Sequence, residues 1–293
     1  MNNLLQKILS FKIRLIALLP FCLLYLISDF IYFFIRYVLR YRIKVVKDNL
    51  TKSFPEKNKK EINFIIKKFY RNISDIIVET IKYSNIKINK LSKRIQVEGL
   101  ENIHKYLKKE KSIIACMGHR GNWEWAGTVF IHLNNAYAVY QPLKNVYFNN
   151  FLNSIRTRFK KNCLISSNKL AHYILKNKNT PTFYLILADQ SPPKSKINYQ
   201  INFLNQQTPF FTSIERIAKH FNFPVFFLDI IRIKRGHYKI IIEEICSNPS
   251  DSDTYYITNA YVRRLEKAIC KQPDNWLWSH RRWKYANIQN KYD

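Results

Sequence analysis

A run of apolar residues from Leu15 to Leu39, LIALLPFCLLYLISDFIYFFIRYVL, restricts this chain more than any other feature. Only Pro20, Asp29 and Arg36 interrupt it. Crossing the hydrocarbon core of a bilayer takes about 20 helical residues, so the run is long enough to span. Lys7, Lys12 and Arg14 precede it, and Arg36, Arg40, Arg42, Lys44 and Lys47 crowd its far end. The excess of cations after the run predicts that the bulk of the chain faces the cytoplasm. A cleaved signal peptide is the competing reading. No small-x-small site follows, however, and Asp29 with large aromatics stands where cleavage would occur. Asp29 and Arg36 leave two membrane modes open, a spanning helix and a helix lying in the interface.

Charge narrows the partners without choosing among them. Against 49 Lys and Arg there are 20 Asp and Glu, a net charge of +29 over 293 residues. Such an excess calls for an anionic neighbour: nucleic acid, anionic lipid, a phosphorylated substrate or an acidic carrier protein. Apolar content of 47% and aromatic content of 15% exclude a disordered basic chain. The five cysteines (Cys22, Cys116, Cys163, Cys246, Cys270) form no Cys-x-x-Cys pair and no cluster at metal spacing. They read as reduced, mostly buried small hydrophobes, which suits a body facing the cytosol.

Three regions follow from the patterning: an anchor over 1–40, a helical region over 41–93 and an α/β catalytic domain over 94–293. Helices are predicted over Tyr41–Phe54 and Lys57–Ile86, the second with apolar residues at 3.6-residue spacing from Ile62 to Ile77. Beyond Arg94, strands are predicted over 112–117, 136–141, 182–188, 224–233 and 237–245. Helices are predicted over 101–109, 122–133, 147–160, 169–177, 210–222 and 253–271. Alternation of this kind indicates an α/β fold, a central mixed sheet flanked by helices. Ligands of such sheets bind at the carboxyl ends of strands, where His119 and Asp189 both fall.

His119-Arg120-Gly121-Asn122-Trp123-Glu124 is the segment most suited to chemistry. It follows the strand Ser112–Met117, and three of the five glycines (Gly118, Gly121, Gly127) lie around it. A neutral imidazole can take a proton from a hydroxyl as that hydroxyl attacks a carbonyl. A carboxylate on the other ring nitrogen fixes the tautomer, and Glu124, in the first helical turn, is in a position to reach back and supply it. Gly118 and Gly121 permit the sharp turn. The plain alternative is a loop histidine followed by an ordinary helix-start acid. His104, His132, His172, His220 and His237 lack comparable settings.

The segment resembles the His-x4-Asp/Glu site of membrane glycerolipid-type acyltransferases. The chain as a whole is similar to the late lipid A acyltransferases, which add lauroyl or myristoyl chains. The matching pieces are Tyr41-Arg42 through Asn49-Leu50, Ser53–Glu56, Tyr140–Asn145, Ala188-Asp189-Gln190 and Trp276–Lys284. An Asn-His-x-Ser pattern, typical of lysophosphatidate enzymes, is missing. The resemblance implies a glycerolipid acyltransferase-like fold in the inner membrane. It also implies transfer from acyl carrier protein, or acyl-CoA, to a hydroxyl of a lipid A precursor. His119 would be the base and Glu124 its orienting partner, with no cofactor, metal or covalent enzyme intermediate. Arg156 or Arg158 matches an arginine of the family's site, Arg156 by its spacing to Asp189. Gly121, Asn122 and Asp189 would support the site. Arg281 and Arg282, in a run with Trp276, Trp278 and Trp283, are candidates for contact with a phosphorylated headgroup.

Two other classes compete. An acyltransferase serving a lysophospholipid or aminolipid would use the same base. A non-enzymatic protein binding nucleic acid or membrane would explain the charge but not the glycine-framed His–Glu turn, and the expected partners are therefore carrier protein and anionic lipid, with no nucleic acid. Acyl-chain length and oligomeric state have no sequence signature.

Overall fold

The computed structural model describes residues 3–285, with side chains from Phe11 onward, so the side chain of Lys7 lies outside the described residues. In chain order the elements are α1 (Asn3–Leu18), α2 (Phe21–Phe33), α3 (Ile43–Ser53), α4 (Lys59–Tyr83), α5 (Ile88–Ser92), β1 (Ile95–Glu98), α6 (Leu100–Lys108) and β2 (Ile113–Met117). There follow β3 (Ala136–Tyr140), α7 (Val146–Arg156), β4 (Leu164–Ser166), α8 (Leu170–Lys176), β5 (Phe183–Leu187), β6 (Gln200–Phe203) and β7 (Gln206–Pro209). The last are α9 (Ser213–Phe221), β8 (Val225–Lys234), β9 (His237–Cys246) and α10 (Tyr256–Lys271).

Seven strands form one sheet in the order β1-β9-β8-β2-β5-β3-β4. The strands β8, β2, β5, β3 and β4 run parallel, while β9 turns back antiparallel on β8 and carries β1 beside it. The sheet is therefore mixed, and helices cover both faces. Alternation along β2 shows why its sequence is apolar without a break: Ile114 and Cys116 enter one core, Ile113, Ala115 and Met117 the other. The first core also takes in Val46, Leu50, Ile62, Ile66 and Phe69, so α3 and α4 pack into the same body as the sheet. Helix α4 starts at a capping box: Asn58 Oδ1 accepts from Lys60 and Glu61 backbone N–H at 2.9 and 3.1 Å, and Glu61 returns a bond to Asn58 N at 2.8 Å.

Several expectations need correction. The apolar run is two helices, because Pro20 lacks an N–H and ends the helical ladder after Leu18. Among the described residues, the segment long and apolar enough to cross a membrane is Phe21–Val38, whose last five residues widen into a π-turn. Residues Trp123–His132 form a 3₁₀ helix where an α-helix was expected. There the Asn122 side chain accepts from Trp125 N at 3.3 Å and the Thr128 hydroxyl donates to Trp125 O at 2.8 Å, side-chain bonds that favour the tighter turn. The short strands β1 and β4 and the polar hairpin β6–β7 carry too few residues for a period to show. Of the five free cysteines only Cys116 and Cys163 are buried, while Cys22 and Cys270 are exposed.

Candidate active site

The site is built where two parallel strands end together. Register pairs Met117 on β2 with Leu187 on β5, and Ala188 N–H donates to Met117 O at 2.9 Å. His119 and Asp189 each stand two residues past that last pair, so the backbone alone brings them side by side. Asp189 Oδ1 lies 2.6 Å from His119 Nδ1, and Asp189 Oδ2 accepts the His119 backbone N–H at 2.8 Å. Trp276 adds an indole N–H to the same oxygen at 2.7 Å. Burial alone would raise the Asp189 pKa. The facing His119 and these hydrogen bonds outweigh it and hold the carboxyl down at about 2. An ionised carboxylate only accepts, so Nδ1 carries a proton, and it is the tautomer with Nε2 open that a neutral imidazole adopts here.

Close packing explains the glycines. A Cβ on Gly118 would stand 2.7 Å from Leu265 and 3.3 Å from Asp189 Oδ2. Gly121 has φ +49°, and a Cβ there would come within 2.6 Å of Ile230 O. Between them Arg120 plunges inward, 2% exposed, to pair with Asp229 and to donate to Ala268 O at 2.7 Å. Gly121 N–H donates to Asn275 O at 2.9 Å, and Leu277 N–H to His119 O at 3.1 Å, so the turn is sewn to the tryptophan segment. That segment is gripped from behind by α3: Asn49 Nδ2 donates to Trp278 O at 2.9 Å and to His280 O at 3.0 Å. Arg42 donates to Ser279 O at 2.8 Å.

Glu124, expected beside the imidazole, pairs elsewhere in this structure. Its two oxygens accept from Arg156 Nε and Nη2 at 2.8 and 2.6 Å, a bidentate pair. In the 3₁₀ helix Glu124 follows Trp123, whose ring meets the imidazole edge-on with centroids 5.4 Å apart. The Glu124–Arg156 pair thus borders the site, while Asp189 takes the ring nitrogen. Of the two candidate arginines, Arg158 donates to Tyr83 O and lies over the Phe159 ring. Asn122 is fully buried and donates from Nδ2 to Glu79 Oε2 at 2.7 Å.

The C-terminal basic pair separates. Arg281 is exposed, whereas Arg282 is 0% exposed, donating to Pro209 O at 2.7 Å and to Ser191 Oγ at 3.2 Å over the Phe210 ring. A headgroup cannot reach Arg282, which acts as a clamp between the β7 end and the loop after Asp189. Burial pushes its guanidinium down to about 10. Three neighbours had no sequence signal of their own. Gln190 Nε2 lies 3.4 Å from His119 Nε2, on the open side of the ring. His280 Nε2 faces Ser191 N–H at 3.5 Å, and burial pushes its imidazole down to about 4. Trp276, whose motif gives no sign of the contact, donates directly to Asp189. Among the described residues no group of three His, Cys, Asp or Glu side chains is set to hold a metal ion.

An oriented imidazole with one open nitrogen, at the carboxyl edge of a mixed sheet, can remove a proton from a hydroxyl. The family model described as bacterial lipid A biosynthesis acyltransferase matches residues 5–285. No curated protein matches the chain.

Proposed function

We propose that this chain, which belongs to the bacterial lipid A biosynthesis acyltransferase family, moves a fatty acyl chain from acyl carrier protein to a hydroxyl of a lipid A precursor. His119 is the general base and Asp189 holds it. The observation that carries this reading is the 2.6 Å contact of Nδ1 with Asp189, with Nε2 turned toward the open side beside Gln190. The acceptor hydroxyl gives its proton to Nε2 as its oxygen attacks the thioester carbonyl carbon. The carbon–sulfur bond then breaks, and the departing sulfur takes the proton back from the imidazolium. Asp189 stabilises the imidazolium without itself taking the proton. Glu124 enters through Arg156, which fixes the wall beside Trp123.

The net charge of +29 suits an acidic carrier and a phosphorylated acceptor. Attachment follows from the two N-terminal helices. Helix α2 turns Tyr25, Ser28 and Asp29 toward the body: Tyr25 donates to Glu79 at 3.0 Å, Ser28 to Asp75 at 2.6 Å, and Asp29 pairs with Arg235 at 2.7 Å. Its other side exposes Leu23, Leu26, Phe30 and Phe33, next to Phe11, Leu15 and Leu18 of α1. A helix tied along its length to charged groups of the body is suited to lie in the interface of the inner membrane, with the catalytic domain on the cytoplasmic side. Lys12, Arg14 and Arg40 would then meet anionic lipid.

The test is mass spectrometry of lipids from cells with and without the gene, beside initial rates of purified protein and its His119→Ala variant. Loss of one acyl chain from lipid A, and of transfer in the variant, is the expected outcome. Unchanged lipid A with altered phospholipids or aminolipids would move the acceptor elsewhere. Wild-type turnover in His119→Ala would overturn the base.

A further inference from the structure

We infer that Glu79 is a positioning residue for acyl transfer: its buried carboxylate fixes the turn that carries His119 and Glu124, and ties that turn to helix α2. The inference rests on the reading of His119 as the base. Glu79 sits on α4 and is 0% exposed. Its Oε2 accepts from Asn122 Nδ2 at 2.7 Å and from the Tyr238 hydroxyl at 2.6 Å, and its Oε1 from the Tyr25 hydroxyl at 3.0 Å. Its backbone carbonyl accepts the Trp125 indole N–H at 3.1 Å. One residue thereby joins α2, β9, the catalytic turn and the 3₁₀ helix behind it.

Chemistry favours a positioning role over simple packing. Buried acids are costly, and a volume-matched apolar residue would fill the same space without that cost. What an apolar residue cannot do is receive three donors. Asn122 has one orientation that serves both neighbours: Nδ2 to Glu79, and Oδ1 to Trp125 N at 3.3 Å, where it starts the 3₁₀ helix. Without the carboxylate the Asn122 amide has no acceptor on that side and its hold on the Gly121–Glu124 turn is lost. Misplacement of a catalytic group by about 1 Å is enough to cost about 100-fold in rate. Burial raises the Glu79 pKa, which the donors from Tyr238 and Asn122 offset in part.

The experiment compares Glu79→Gln and Glu79→Met in the full chain, by initial rates with labelled acyl donor and by hydrogen exchange over residues 118–126. Gln keeps a carbonyl for Asn122 and Tyr238 and offers an N–H to the Tyr25 oxygen, so its kcat should stay within about three-fold of wild type. Met should lower kcat by about 10- to 100-fold with KM little changed, and speed exchange in 118–126. Should Met fail to fold, Asn122→Asp decides: it replaces the amide donor with a second carboxyl group against Glu79 and lowers kcat, and adding Glu79→Gln, which puts an amide back opposite a carboxyl, should restore it. Wild-type kcat in the Met variant, unchanged exchange in 118–126, or additive losses in the Asn122→Asp/Glu79→Gln pair would overturn the inference. A wild-type chain that transfers no acyl group would instead sink the proposed function, and the exchange measurement would still report whether Glu79 holds the turn.

Discussion

Asp189 accepts from His119 twice, once from the ring and once from the backbone, although 70 residues separate them. The two contacts fix both the tilt of the imidazole and the place where it leaves the chain. Side-chain orientation and backbone course are thus set by one carboxylate.

Asp189→Asn should therefore be more damaging than Glu124→Gln. The amide keeps the shape but can present N–H to Nδ1, which inverts the tautomer and loses the charge opposite the imidazolium. A fall in kcat of about 10³- to 10⁴-fold is expected, by analogy with tautomer loss in other His–carboxylate pairs. Initial rates decide it. If Asp189→Asn works near wild-type speed while Glu124→Gln is dead, the orienting carboxylate has been misassigned.

Glu124 and Arg156 should behave as one unit. The pair is bidentate, with Glu124 only 9% exposed, so either single change leaves a partner stranded. A double-mutant cycle of Glu124→Gln and Arg156→Met should return a coupling of about 1–3 kcal/mol in urea unfolding. Additivity would mean that the two act separately.

How much of this was legible in the sequence differs between fold and site. Strands β2, β3, β5, β8 and β9 showed because each is an apolar-rich run of five or more residues set between helical segments or turns. The His119 turn showed because glycines are scarce. The Asp189 partnership did not, since it depends on Met117 pairing with Leu187, a register between distant strands that no local pattern encodes. Glu124 misled for a related reason: its direction is set by Arg156, 32 residues further along, which no local pattern encodes. Glu79 was invisible because an acid in an amphipathic helix looks like a surface residue until its three donors arrive from elsewhere.

Gly121→Ala should destabilise the protein without touching any catalytic atom. Its φ of +49° and the 2.6 Å approach to Ile230 O leave no room for a methyl group. A loss of about 1–3 kcal/mol is expected, read as a lowered Tm. An unchanged Tm would show that the turn can relax.

Acid should unfold the protein in two steps of sensitivity. His280 has a folded value near 4 against an ordinary 6.5, so the folded state binds fewer protons and stability falls as pH drops through that window. Asp189, near 2 against 3.8, loses its contribution only below about pH 4. Unfolding free energy measured from pH 7 to 3 should decline across the first window, and His280→Gln should flatten that portion. An identical slope in the variant would remove His280 as the cause.

Membrane attachment should depend on the outer side of α2. Leu26→Asp and Phe30→Asp alter residues 66% and 68% exposed, so flotation with anionic vesicles should drop while Tm holds. In a Cys22→Ser background, Lys12→Cys and the native Cys270 should react with an impermeant maleimide from the same side. Labelling of the two from opposite sides would establish a spanning helix.

The tryptophan segment sets an order on how this protein comes into being. Trp276 supplies a bond to Asp189 from 87 residues further on, and Asn49 clasps Trp278 across 229 residues. Such distant closures are slow to find during folding. While the chain is still short of Trp276, its histidine and aspartate already exist, but the frame that aligns them is incomplete; the site can close only once the tryptophan segment has been made.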